Sequence, residues 1–155
     1  YQGPSHPPQH AILPLNASFI LVFTNQLTLG STTKILIPQH GSNSELYDMR
    51  IFIPLTLANF RVSHWVVSLE WAAADTYQIV GDSSFNSKRF SNEELEQLYA
   101  EVFQTIDGEL AAYEKEVEQV RFKAVDSSFW EVESRNHTFL ELLRSAYGEF
   151  EEDAT

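Results

Sequence analysis

His64 opens an apolar run, HWVVSLEW, and Asp82 follows a second one, TYQIV, within the tripeptide Gly81-Asp82-Ser83. A carboxylate that accepts an imidazole Nδ1–H holds the ring in one tautomer and stabilises the imidazolium, as a general base requires. The two runs read as strands separated by a turn at Ala72-Ala73-Ala74-Asp75. As antiparallel neighbours they would put the start of the first beside the end of the second, so that His64 faces Asp82 at one sheet edge. The same residues also admit a plainer reading, in which His64 sits at a strand edge and Asp82 opens a turn with Ser83, Ser84 and Asn86.

Little else in the chain has the spacing of chemistry. His6, His10, His40, His64 and His137 form no close-spaced ligand pattern, so no metal is expected. The six glycines are scattered and build no phosphate loop, and no cofactor is implied. Gly81-Asp82-Ser83 is similar to the Gly-Asp-Ser block of the SGNH hydrolases. That family's Asp-x-x-His block is missing, because Ser134 stands three residues before His137, the last histidine.

The elements that would position these residues fall into two halves. YQGPSHPPQH, residues 1–10, is Pro-rich and reads as an extended arm, leaving 11–155 as a single domain. From Ala11 to Ser84 the chain reads as β-rich. Ala17–Leu29 is an apolar block, either a strand or a short buried helix. Lys34–Pro38 (KILIP) and Arg50–Pro54 (RIFIP) read as compact strands ending at prolines, with a polar loop between them. At Ser91-Asn92-Glu93-Glu94 a capping box begins a helix. Leu95, Leu98, Tyr99, Val102, Phe103, Ile106, Leu110, Tyr113, Val117 and Val120 then recur at spacings of three and four. That stripe predicts one long amphipathic helix from Ser91 to Val120. A second helical region is predicted over Ser128–Phe150, with Phe139, Leu140, Leu143, Ala146, Tyr147 and Phe150 on one side. Strands followed by helices predict an α+β fold with a mixed, largely antiparallel sheet.

The stretch RIFIPLTLANFRVSHWVVSLEW…TYQIVGDSS resembles the ubiquitin-like-protease (Ulp/SENP) family of cysteine proteases. In that family a strand ending in proline precedes a His-Trp that opens the next strand, and the strand after it ends in Asp-Ser. The resemblance implies that His64 is the general base, that Asp82 orients it, and that Trp65 contributes to substrate binding. It implies Gln119 as the oxyanion donor and places Ser127, within Asp126-Ser127-Ser128, where the family has its cysteine nucleophile. A serine hydroxyl lacks the acidity of a thiol that a helix N-terminus and His⁺ can lower, so the scaffold is expected to be inactive or impaired as it stands. Either the serine replaces a cysteine by design or the chain is a natural relative without activity. Ser128-x-x-Glu131 also fits a capping box, which would make these residues only a helix start. The partner so implied is a ubiquitin-like modifier or its conjugate.

Bulk properties set the outer bounds. The chain has 155 residues, 43% hydrophobic and 13% aromatic, enough for a folded core. Its 22 acidic and 10 basic residues leave a net charge of −12, which disfavours nucleic acid and anionic membrane and permits a basic protein partner. The absence of cysteine removes disulfides and thiol catalysis and leans towards an intracellular origin. The competing expectation is a non-enzymatic interaction module, with the long amphipathic helix binding a partner helix or a second copy.

Overall fold

The structure, a computed structural model, describes residues 30–152. The fold is that of the unit Ser31–Thr155. The predicted arm at 1–10 and the apolar block at Ala17–Leu29 lie outside the described residues.

Seven strands form one sheet: β1 (Thr33–Pro38), β2 (His64–Ala74), β3 (Gln78–Val80), β4 (Lys88–Phe90), β5 (Val102–Glu114), β6 (Val117–Val125) and β7 (Phe129–Ser134). Three helices accompany it: α1 (Met49–Asn59), α2 (Asn92–Glu101) and α3 (His137–Tyr147). The sheet order is β1-β7-β6-β5-β2-β3, with β4 also on β2, and every strand pairing is antiparallel. The fold class is α+β. The helices are interspersed with the strands, however, rather than gathered in the second half.

Register divides the sheet into two chemically distinct faces. Leu110, Phe122, Val132 and Ile35 stand in one row across β5, β6, β7 and β1, and all four are buried. The neighbouring row on the opposite face is Glu109, Lys123, Glu131 and Leu36. There, Arg121 pairs with Glu109 at 3.0 Å and Lys34 with Glu131 at 3.6 Å. Such exposed pairs each contribute little, so the apolar face carries the stability. Phe52 of α1 stacks on Phe122 and meets Trp130 edge-on, while Phe60 meets Phe139 of α3.

Two elements differ from the sequence reading. RIFIP is not a strand: it lies in α1, where Met49, Phe52, Ile53 and Thr56 are buried at i, i+3, i+4 and i+7. Pro54 sits inside this helix, removing one backbone donor, and the buried face holds the helix in place. The predicted long helix is also shorter. Ser91 does cap it, accepting a hydrogen bond from the Glu94 N–H at 3.1 Å, but the helix ends at Glu101. Arg50 donates to the carbonyls of Tyr99, Ala100 and Val102, so it satisfies the groups freed at that end. The following VFQTI is β-branched and aromatic and pairs with β2 instead. The 3–4 spacing of Leu110, Tyr113, Val117 and Val120 was coincidental, because bulges in β5 break the alternation that marks a strand. Likewise, Ser128–Phe150 is not helical throughout, since β7 precedes α3. The buried residues Phe139, Leu140 and Leu143 of α3 are among those expected.

Gly108 occupies a close approach of β5 to β2. A Cβ there would lie 2.9 Å from both the Leu69 side chain and the Ser68 carbonyl. Gly108→Ala is therefore expected to force β2 and β5 apart and cost about 2 kcal/mol, read as a lower urea midpoint with an unchanged slope.

Candidate functional site

The strand register decides whether the predicted catalytic residues meet. β2 has 11 residues and β3 only three, and Trp71 is level with Val80. The hairpin thus pairs β3 with the end of β2, not its start. The Gly81 N–H donates to the Glu70 carbonyl, so Asp82 leaves the sheet at least five residues along β2 from His64. At about 3.3 Å per residue that is roughly 16 Å. Asp82 is exposed, and its carboxylate accepts from the Ser84 N–H at 2.9 Å and the Ser84 hydroxyl at 2.7 Å. These bonds hold its pKa below the usual carboxylate value. This is the turn-opening role.

His64 is buried at the other end of β2, stacked on Tyr113 with ring centroids 5.2 Å apart and planes at 9°. Its Nδ1 lies 2.9 Å from the Ser63 Oγ, which also accepts from the Lys115 N–H and donates to the Tyr113 carbonyl. Burial pushes the His64 pKa below its ordinary value; Arg89 adds to this and Glu116 opposes it. The ring ties the start of β2 to the β5–β6 turn. Trp65 offers no accessible surface for substrate, because it is fully buried and its indole donates to Asn92 Oδ1 at 2.9 Å.

Gln119 lies on β6, two strands from β2, and its amide donates to the Val117 carbonyl. Ser127 does not begin a helix. Asp126 and Ser127 have φ of 45° and 51° and turn β6 into β7, a hairpin geometry with two left-handed residues and no glycine to announce it. The Ser127 N–H donates to the Ile106 carbonyl. Tyr113, the cross-strand partner of His64, is seven residues farther along β5, roughly 23 Å at the usual rise. No His64–Asp82–Ser127 constellation forms. The expected outcome for Ser127→Cys with an electrophilic ubiquitin-like probe is no covalent adduct by mass spectrometry.

Two other groupings emerge from the fold. The first is a buried polar cluster around Asp48. Oδ1 accepts from the Met49 N–H at 2.8 Å and the Thr105 hydroxyl at 2.9 Å, while Oδ2 accepts from the Thr105 N–H at 2.8 Å. The Tyr99 hydroxyl joins the Thr105 Oγ1 at 2.8 Å, and the Gln39 amide donates to the Thr105 carbonyl at 2.6 Å. Burial pushes Asp48 up from 3.8 to about 7, against the hydrogen bonds and the Arg50 charge, which lower it. Beside it, Arg50, Ile53, Pro54, Glu96, Tyr99 and Ala100 line an open cleft of about 210 Å³. Arg50 Nε and Nη2 donate to the carbonyls of Tyr99, Ala100 and Val102.

The second grouping is on the surface. Among the described residues six large hydrophobic side chains are exposed, and four of them, Trp71 (41%), Tyr77 (41%), Val80 (63%) and Phe103 (37%), lie on β2, the turn after it, β3 and the start of β5. Trp71 and Val80 are cross-strand partners. The Tyr77 hydroxyl donates to Glu101 Oε2 at 2.8 Å, which brings Tyr77 beside the residue two before Phe103. Ala72 and Ala74 are buried, so Trp71 and Ala73 project from the face opposite the core. The amino-acid pattern placed these residues in strands or on a helix face and had no means of showing that Trp71 pairs with Val80.

Among the described residues no group of His, Cys, Asp or Glu is arranged to hold a metal ion, and no helix is long and apolar enough to cross a membrane. No protein-family model, curated protein or solved structure matches the chain.

The raised Asp48 pKa gives a signed pH effect. Between about pH 4 and 7 the folded state keeps a proton that the unfolded chain has lost, so this group's contribution to stability falls as pH rises and levels off above 7. The span from 3.8 to about 7 is worth on the order of 4 kcal/mol. In melts from pH 4 to 8, Asp48→Asn should lose this component relative to the unsubstituted protein. At low pH the variant should also cost about 1–3 kcal/mol, because an amide nitrogen would face the Thr105 N–H.

Proposed function

We propose that this chain is a non-enzymatic protein-interaction module whose contact surface is the corner formed by β2, β3 and β5. The observation that carries this reading is the exposure of Trp71, Tyr77, Val80 and Phe103 on adjoining elements, with Trp71 and Val80 paired across the strands. Single exposed hydrophobic residues are ordinary, but a cluster rich in aromatics is characteristic of interface centres. Tryptophan and tyrosine bring large contact area with few rotatable bonds.

The interaction surface suggested by the amino-acid pattern was a long helix, and with α2 ending at Glu101 the role passes to the sheet. A proteolytic role finds no support in the geometry, since Ser127 and His64 meet β5 seven residues apart, at Ile106 and Tyr113. The Asp48 carboxylate is engaged by Met49 and Thr105, and the cluster around it has no exposed reacting group. A ubiquitin-like modifier remains one of the partners such a surface would accommodate.

The test is comparative capture. Immobilised protein and a Trp71→Lys/Val80→Lys variant are exposed to an extract of the source organism, after circular dichroism and melting confirm equal folding. The expected result is a partner retained by the unsubstituted protein and lost at least about tenfold with the variant, the loss that follows removal of an interface hot spot. Identical retention by both proteins overturns the reading.

A further inference from the structure

β3 is an edge strand among the described residues, and its free side is determined by its hydrogen bonds. Ala74 N–H donates to the Tyr77 carbonyl, and Gly81 N–H donates to the Glu70 carbonyl. In an antiparallel pair the bonded and non-bonded positions alternate, so Ile79 also turns its backbone groups towards β2. The N–H and C=O groups of Gln78 and Val80 therefore point outward, away from the sheet. Side chains of the non-bonded pair Trp71 and Val80 stand close together on the outer face.

Edge strands are commonly protected by lysine, proline or a covering segment. Gln78-Ile79-Val80 contains neither lysine nor proline, and its shortness is its only evident protection. The segments that flank it are acidic. The segments 70–82 and 101–107 contain Glu70, Asp75, Asp82, Glu101 and Asp107 and no lysine or arginine. Asp75 and Asp82 bracket β3 at its two ends. Arg50 reaches the end of α2, where its Nε and Nη2 donate to backbone carbonyls. Lys88 packs over the rings of Phe85 and Phe90 on a strand paired to the opposite end of β2, and its charge acts on Asp82.

Building on the interaction reading above, we propose that the partner presents a short extended segment, apolar in the middle and basic at both ends, which adds as a strand to the free edge of β3. Backbone hydrogen bonds to Gln78 and Val80 supply the register. An apolar side chain lies against Trp71 and Val80, and the flanking lysines or arginines meet Asp75 and Asp82. The acidic rim then also selects against acidic strands and against a second copy of this chain, whose own edge carries the same charge.

The probe is an acetylated, amidated octapeptide, Lys-Lys-Val-Thr-Val-Thr-Lys-Lys, titrated into the full ¹⁵N-labelled chain. Two control peptides carry glutamate for every lysine or proline for both valines. The expected result is saturable shifts of the Gln78 and Val80 amides and the Trp71 indole N–H, with slowed hydrogen exchange at the two amides. Binding should weaken at least about tenfold with the glutamate peptide and on adding salt, as like charge and screening require. A proline peptide that binds as well as the parent overturns strand addition, because it cannot complete the ladder. Equal binding by the glutamate peptide, no shifts with any peptide, or concentration-dependent broadening of the same signals without peptide each overturns the proposed chemistry. If the patch variant still abolishes capture while the lysine peptide fails, the interaction reading stands and only the partner's chemistry is wrong. If capture also survives the substitution, both fail.

Discussion

The carboxylate of Asp48 holds together the part of the molecule that has no neighbouring strand to complete it. β5 pairs with β6 only from Gly108 onward, so residues 102–107 extend beyond the ladder. At Thr105, Asp48 takes the backbone N–H and the hydroxyl, while Gln39 supplies a donor to the backbone carbonyl. Two side chains thereby stand in for an absent strand. Without them, buried backbone groups would be left without partners, a cost comparable to losing the bonds themselves. Because Asp48 also caps α1 and Thr105 meets Tyr99 of α2, one cluster ties both helices to the sheet. The burial that makes this joint effective also makes it sensitive to the carboxyl's charge.

From that joint the two faces of the sheet take different roles. Towards the helices, the rows containing Leu110, Phe122, Val132 and Ile35 fill the core. Away from them, paired charges keep most of the broad surface soluble without adding much stability. The β2–β3 hairpin departs from this pattern. A register shift between Leu69 and Trp71 changes which residues of β2 face outward, and Trp71 emerges beside Val80. Its exposure contrasts with Trp65 and Trp130, both fully buried and both donating indole hydrogen bonds within the fold. The conspicuous surface is thus created by an irregularity in the strand, on a rim whose flanking segments 70–82 and 101–107 are acidic.

Several features of this arrangement were legible in the amino-acid pattern. The Ser91 capping box, the apolar runs of β1 and β2 and the buried side of α3 rest on local rules of spacing and hydrogen bonding. Others were obscured by competing signals. The i, i+3, i+4, i+7 pattern of Met49, Phe52, Ile53 and Thr56 was present, but Pro54 suggested a strand's end. Beyond Glu101 an accidental helical spacing outweighed the β-branched composition of Val102–Ile106. Asp126-Ser127 makes a tight hairpin in left-handed conformations that neither residue type announces.

The amino-acid sequence by itself determined an acidic, cysteine-free chain able to build an α+β core, because composition and short-range periodicity act locally. It also placed His64 and Asp82 at strand ends. Only the tertiary structure decided that these ends are not neighbours, since a hairpin joining 11 residues to three aligns the short strand with the nearer part of the long one. That register also set Trp71 beside Val80, and tertiary packing brought Asp48, Thr105, Tyr99 and Gln39 to one buried joint. Such meetings depend on which strands pair and at what offset, and a sheet sets that offset through long-range packing.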